Sequence, residues 1–156
     1  MNGNITSKNF TGNSFTLFDE TFETQHGAYL DKGDSLFETL QAISAERASI
    51  PVGGKCASLA AQVAHVTFYL EVLERALLKQ PGGKNDWGLI WRSIEHVNAA
   101  EWDAIVSNLK QTYTRVVAEM HAISDWDNDD IVGAAMAMLV HSAYHLGEIR
   151  QALCVI

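Results

Sequence analysis

Two histidines four residues apart, His141 and His145, carry the most suggestive chemistry in this sequence. They stand in the segment HSAYHLGEIRQAL. On a helix, side chains at this spacing share a face, with Cβ atoms about 5–6 Å apart. The histidines of HExxH zinc helices have the same offset, but Ser142 stands where such helices carry a glutamate base. The pair is typical either of two ligands to one metal ion or of two core imidazoles bonded to carbonyls or hydroxyls.

The predicted helix places both histidines among apolar residues. At about 100° per residue, they fall in the same arc as Ile131, Met138 and Ile149. The opposite side is also partly apolar, so the helix is expected to be buried on more than one side. A buried polar group without a partner costs roughly 1–3 kcal/mol. Two imidazoles on this stripe therefore need partners, and a shared ion would serve both.

A third histidine, His65, lies in LAAQVAHVTFYLEVLERALLKQ, the clearest helical pattern in the chain. It falls on the flank of the apolar arc, on the same side as Tyr69, which could donate a proton or simply pack. In a bundle this helix can face the last one, so that the three imidazoles converge. Three histidines with an open fourth position suit zinc or nickel. Water or a thiol would bind the metal ion at the open position, and the ion would lower the pKa of that water or thiol.

Four long helical segments joined by loops with proline and glycine predict an all-α four-helix bundle. Residues 15–156 are predicted to form one domain, and residues 1–14 a mobile N-terminal arm. The first helix is expected at about Phe15–Gln25, within a helical region that reaches Ile43 and is interrupted near Gly27 and Gly33. Short extra helical turns are expected in the loops.

Capping residues predict where the helices begin. Ser58 precedes the second long helix and Asn98 the third, while Asp129 or Asp130 is expected to cap the last. Ser44 is expected to begin a short turn.

Composition limits the classes of function. The chain has 156 residues, 47% apolar and 19% charged, with a net charge of −8. This acidity argues against nonspecific nucleic-acid binding. No apolar run approaches the roughly 20 residues that span a bilayer, and the N-terminus does not resemble a signal peptide. The two cysteines, Cys56 and Cys154, lack the pattern of a disulfide framework or a metal site, so a cytoplasmic protein is expected.

The histidine motifs resemble those of the DinB-like family of four-helix bundles. The resemblance rests on AAQVAHV in the second helix and HSAYHLGEI in the last, with LQAISAERASIPVGGKCASL and AEWDAI as further similarities over about Leu36 to Leu153. It implies a zinc or nickel site on His65, His141 and His145, and a homodimer. The family includes S-transferases and isomerases that use low-molecular-weight thiols.

Two further residues are candidates for catalysis. The family often has glutamine after the glycine of the last motif, whereas this chain has Glu148. We expect Glu148 to face solvent or a surface partner; the alternative is that its carboxylate orients the His145 imidazole. His26 is a candidate fourth ligand or general base, although a histidine beside Gly27 is typical of a loop or helix end.

Two functions remain open from the sequence. One is a metal-dependent enzyme that transfers a thiol to a small molecule or hydrolyses it. The other is a noncatalytic stress-response module whose metal or apolar pocket holds a ligand or stabilises the bundle. A structural site has its coordination closed by protein, whereas a catalytic site keeps a position open.

Overall fold

A computed structural model describes residues 5–54 and 56–156, and within these ranges the chain forms helices and no β-strand. The all-α prediction is therefore confirmed, including the short extra helices in the loops. A 3₁₀ turn at Val52–Gly54 precedes the fourth helix. The α-helices are α1 (Ser7–Phe22), α2 (Leu36–Gln41), α3 (Ala45–Ala48), α4 (Leu59–Leu77), α5 (Leu89–Ser93), α6 (Ala99–Ala122) and α7 (Asp129–Ala152).

The four long helices form a helical bundle with one continuous core. Helix α4 packs against α6 and α7, and α1 packs against α7. At the α1 end, Phe18 and Phe22 stack on Tyr113 of α6, with ring centroids 5.6 and 4.6 Å apart. Burial of these large apolar side chains is the main favourable contribution to folding. The α4–α7 contact is the part of the bundle that brings the three histidines together.

Helix α1 begins eight residues earlier than the sequence predicts. The Thr6 hydroxyl caps it by accepting a hydrogen bond from the Asn9 amide at 3.2 Å. Its first turns are also held by Phe10, whose ring lies 6.2 Å from that of Trp126. Residues 7–14 therefore extend the first helix instead of belonging to the predicted arm, of which residues 1–4 lie outside the described residues. The helix ends at Phe22, three residues before the predicted Gln25.

The interruption of the first helical region is a loop over residues 23–35, organised by the fully buried Glu20. The Glu20 carboxylate accepts hydrogen bonds from the backbone N–H groups of residues 28–30, at 2.9–3.2 Å. Burial alone would raise the pKa of Glu20, but these bonds outweigh it and the pKa is lowered. Gly27 and Gly33 in this loop have φ of +80° and +87°, a left-handed conformation that interrupts a helix and favours glycine.

The other helix starts follow capping chemistry. Ser58 and Asn98 cap α4 and α6 as predicted. The prediction for α7 is wrong: Asn128 is the cap, its side chain accepting from the Ile131 amide at 3.2 Å. Asp129 and Asp130 instead form the first turn, where their charges favourably face the positive end of the helix dipole. In the described part of the chain, no helix is both long and apolar enough to cross a membrane.

Candidate metal centre

Helices α4 and α7 bring the three predicted ligands into one cluster. His65 and His141 approach with their Nε2 atoms 3.2 Å apart. One nitrogen from each of these rings and from His145 lies within 4.8 Å of the others. Nitrogens bound tetrahedrally to zinc, at about 2.0–2.1 Å from the ion, are about 3.3 Å apart. The first pair already has about this separation.

Burial keeps the three imidazoles neutral. His65 and His145 are only 7% and 5% exposed. Burial, and then the neighbouring imidazoles, lower the pKa of His65 and of His141 to about 4. Burial also lowers the pKa of His145, although the nearby Glu148 carboxylate opposes this. Neutral imidazole is the form that binds metal ions, so at pH 7 protons do not compete for the site.

Aromatic rings hold two of the histidines in place. The Tyr69 ring stacks on His141 with centroids 3.5 Å apart and planes 15° apart. Trp91, on the short helix α5, lies 4.4 Å from His65 and 6.5 Å from His145, centroid to centroid. These contacts fix ring planes and cover one side of the cluster. Tyr69 therefore packs directly against a predicted ligand.

Glu148 contacts both the cluster and an exposed surface partner, Tyr144, so the two orientations that the sequence left open occur together. Its Oε2 lies 2.9 Å from Nδ1 of His145, while its Oε1 accepts a hydrogen bond from the Tyr144 hydroxyl at 2.6 Å. The carboxylate lies out of line with the ring N–H, so the contact with Nδ1 is electrostatic and not a formed hydrogen bond. Such a carboxylate favours the tautomer with the proton on Nδ1, which leaves Nε2 free for an ion.

Several buried polar atoms around the cluster have no hydrogen-bond partner in the described part of the chain. They are Nδ1 of His65 and His145, Oε1 of Gln62 and Oγ of Ser142. The contact between two Nε2 atoms accommodates a single proton, so the lone pairs of three converging imidazoles are not satisfied by one another. One divalent ion would accept all three lone pairs. This set of donors therefore fits zinc or nickel.

The remaining histidines lie outside the cluster. His26, the predicted fourth ligand or base, is 40% exposed and its Nε2 lies 2.5 Å from Oδ2 of Asp19. His121, in the last turn of α6, stacks on Phe15 with centroids 4.2 Å apart. His96 is exposed. Of the predicted site residues, the structure thus brings together His65, His141, His145 and Glu148, and leaves His26 on a separate carboxylate.

Sequence reasoning missed two residues at this centre. Gln62 lies three residues before His65 on α4, so helical spacing could have marked it as a neighbour on the same face. Trp91 gave no usable signal, because its approach to His65 depends on how the loop after α4 folds back. Only the three-dimensional arrangement shows which of the four tryptophans lies at the histidines.

Comparisons with known proteins give no match to any family model, curated protein or solved structure. The arrangement of the chain's own side chains therefore carries the functional argument.

Proposed function

We propose that this chain is a DinB-like metalloenzyme of the four-helix-bundle type, in which His65, His141 and His145 hold one zinc or nickel ion. The observation that supports this most is the convergence of three neutral imidazoles whose lone pairs the chain leaves unsatisfied. Helix α4 supplies one ligand and α7 the other two, which matches the motif placement on which the resemblance rests. The proposed reaction is either the transfer of a thiol to a small molecule or the hydrolysis of a small molecule.

A bound divalent ion would supply Lewis acidity, polarising an electrophile or lowering the pKa of a thiol or water nucleophile. Glu148 would hold the His145 ring through Nδ1, and Tyr69 would hold the plane of His141. Glu148 is the carboxylate that contacts the cluster, and it is 38% exposed. We assign it the role of accepting the proton of the nucleophile. His26 has no proposed role, because its ring is engaged by Asp19.

The metal site is tested by replacing His141 with Ala and measuring metal by elemental analysis. The protein should be purified without a histidine tag or nickel column, since both introduce metal. We expect one ion per wild-type chain and none in His141→Ala. His121→Ala, which removes an exposed imidazole on α6, is the matched control and should keep the ion. Equal metal content in all three proteins would rule the site out.

Catalysis is tested separately from binding. Zinc- and nickel-loaded protein is screened for turnover with bacillithiol-, mycothiol- and glutathione-type donors and with hydrolysable esters and amides. Turnover that His141→Ala abolishes would support the enzyme. If a chelator lowers the melting temperature but no donor or substrate is turned over, the noncatalytic binding module becomes the better explanation.

We also propose a homodimer formed through α7. Met136, Val140 and Tyr144 are exposed apolar side chains spaced four residues apart, so they lie on one face of that helix. Apolar patches of this kind mark protein interfaces. Light scattering should give a dimer for the wild type and a monomer for Val140→Lys; a wild-type monomer at micromolar concentration would contradict the proposal.

A further inference from the structure

Three large apolar side chains are exposed on the segment that leads into α5. Trp87, Leu89 and Trp91 are 46%, 49% and 37% exposed, all within residues 87–91. By contrast, Trp102 of α6 is 5% exposed. Exposed apolar patches mark interaction sites, because such side chains otherwise tend to be buried. These three side chains are called the α5 patch below.

The α5 patch lies beside the histidine cluster. The ring of Trp91 lies 4.4 Å from that of His65, centroid to centroid. The ring of Trp87 lies 5.8 Å from that of Tyr69, which in turn stacks on His141. Two of the three clustered imidazoles are therefore connected to the patch, one directly and one through a single ring. A molecule bound at the cluster would have this apolar surface next to it.

Trp91 also lines a groove of about 590 Å³, which is a volume typical of small-molecule sites. The other walls of this groove include Pro51, Ser58 and Ile94. Among the described residues that line it, none is Lys or Arg, and Glu95 is the one carboxylate. These walls disfavour an anionic ligand, because a carboxylate would lose hydration without gaining a positive partner.

We propose that the exposed ring of Trp91 binds an uncharged aromatic group of the small molecule that the metal centre takes as its substrate. Aromatic rings pack on one another more favourably than saturated groups of the same area do, because ring faces and ring edges carry opposite partial charges. The groove gives this group room, and the contact of Trp91 with His65 places it beside a metal ligand. This substrate class rests on the proposed function, whereas the preference for an aromatic group rests on Trp91.

Pairs of probes with the same metal-binding nitrogen test this proposal. 1-Benzylimidazole ends in an aromatic ring, and 1-(cyclohexylmethyl)imidazole ends in a saturated one. A second pair, with two methylene groups between the rings, covers a longer reach from the ion. Dissociation constants are measured by isothermal titration calorimetry on zinc-loaded protein at about pH 8, where an imidazole is neutral. We expect the aromatic probe of at least one pair to bind about fivefold more tightly, the effect of one aromatic contact.

Variants assign the preference to a residue. Trp91→Leu keeps an apolar side chain but removes the ring, so it should bring the ratio of dissociation constants close to one. Trp91→Phe keeps a ring and should retain most of the preference, which covers the case in which Trp91→Leu loses zinc. Trp126→Leu is the matched control and should keep the ratio, because Trp126 precedes α7, whose first residue lies about 18 Å along the helix from His141.

Equal binding of the aromatic and saturated probes in both pairs, or a preference that survives in Trp91→Leu, would overturn the proposal. If the wild type also shows no preference and Trp91→Leu converts a dimer to a monomer in light scattering, the α5 patch instead contacts a second copy of the chain. Either result on zinc-loaded protein leaves the metal site itself standing.

Failure of the metal site would be recognised separately, by elemental analysis that finds no zinc in the wild type. The α5 patch is then tested on metal-free protein with 1-benzylpyrrole and 1-(cyclohexylmethyl)pyrrole, which lack a metal-binding nitrogen. A preference for the benzyl probe that Trp91→Leu removes would support the aromatic site and discard only its link to the metal. Equal binding of this pair would overturn the aromatic site as well.

Discussion

Two regions of this bundle bury polar groups, and they do so differently. The Glu20 carboxylate is fully buried, but three backbone N–H groups of the loop after α1 donate to it. His65 is almost as buried, yet its Nδ1 has no partner among the described residues. The first group connects a helix to its loop and is complete as folded. His65 instead turns its Nε2 toward Nε2 of His141, where a bound ion would take up the imidazole lone pairs.

The contrast extends beyond these two residues. Trp102 donates its Nε1–H to the Ile43 carbonyl at 2.8 Å, and Arg115 binds both carboxylate oxygens of Glu74. In the described chain, six buried side-chain atoms lack partners. Two of them belong to His65 and His145, and two belong to Gln62 and Ser142, which are close in sequence to a cluster histidine on the same helix. Unsatisfied groups are costly in a native fold, so their concentration on α4 and α7 supports the proposed binding site.

The largest expected effect is a rise in melting temperature on zinc binding, which should depend on the histidine cluster and not on Glu20. Zinc at a thousandfold excess over its dissociation constant should stabilise the wild type by about 4 kcal/mol. For a chain of this size that corresponds to a rise in melting temperature of about 8–16 °C. His65→Ala should abolish the rise in differential scanning calorimetry. Glu20→Gln should lower the starting melting temperature but keep the rise; a variant of Glu20 that loses it would break the comparison.

The second prediction compares the effects of the Glu148 and Glu20 carboxylates on zinc affinity. Glu148→Gln should weaken zinc binding by about 10–100-fold, because it removes the negative charge beside Nδ1 of His145. Glu20→Gln should leave zinc affinity unchanged. Competition with a fluorescent chelator measures both. If the two variants bind zinc equally well, Glu148 has no role in orienting the ligand.

The third prediction concerns how the free energy of unfolding of the metal-free protein depends on pH. His65 and His141 have a pKa of about 4 when folded, against about 6.5 when unfolded. Between these values the unfolded chain binds more protons, so the free energy of unfolding falls as pH drops from about 6.5 to 4. His141→Ala should have a shallower fall in urea titrations over this range. An identical pH dependence would mean that the imidazole is not buried neutral.

The smallest effect concerns Gln62. Replacing its unpaired amide by an apolar side chain of similar length removes an unsatisfied group, so Gln62→Leu should leave the melting temperature of metal-free protein unchanged or raise it by a few degrees. A lowered melting temperature would show that Oε1 already has a partner.

Local patterns in the sequence were sufficient for part of this structure. Helical spacing identified His141 and His145 as neighbours, and serine or asparagine caps gave the starts of α4 and α6. The early start of α1 was missed because its apolar contacts are few and depend on Trp126, which is distant in sequence. The loop fixed by Glu20 and the approach of Trp91 were missed for the same reason: each depends on tertiary contacts.

The sequence left two orientations of Glu148 open, toward a surface partner or toward His145, and the side chain contacts both. Its spacing of three from His145 allows a contact, but a half-exposed glutamate on a helix usually faces water, and the sequence does not show that Tyr144 holds it back. The Tyr144 hydroxyl donates to Oε1 of the same carboxylate whose Oε2 reaches the imidazole.

The central claim is tested most directly by anomalous diffraction from a crystal of zinc-loaded protein, collected on both sides of the zinc absorption edge. The account predicts one strong anomalous peak that lies about 2.0–2.1 Å from a nitrogen of each of His65, His141 and His145. Glu148 should still lie beside Nδ1 of His145. An empty cluster, or zinc bound only at exposed histidines such as His96, would contradict it.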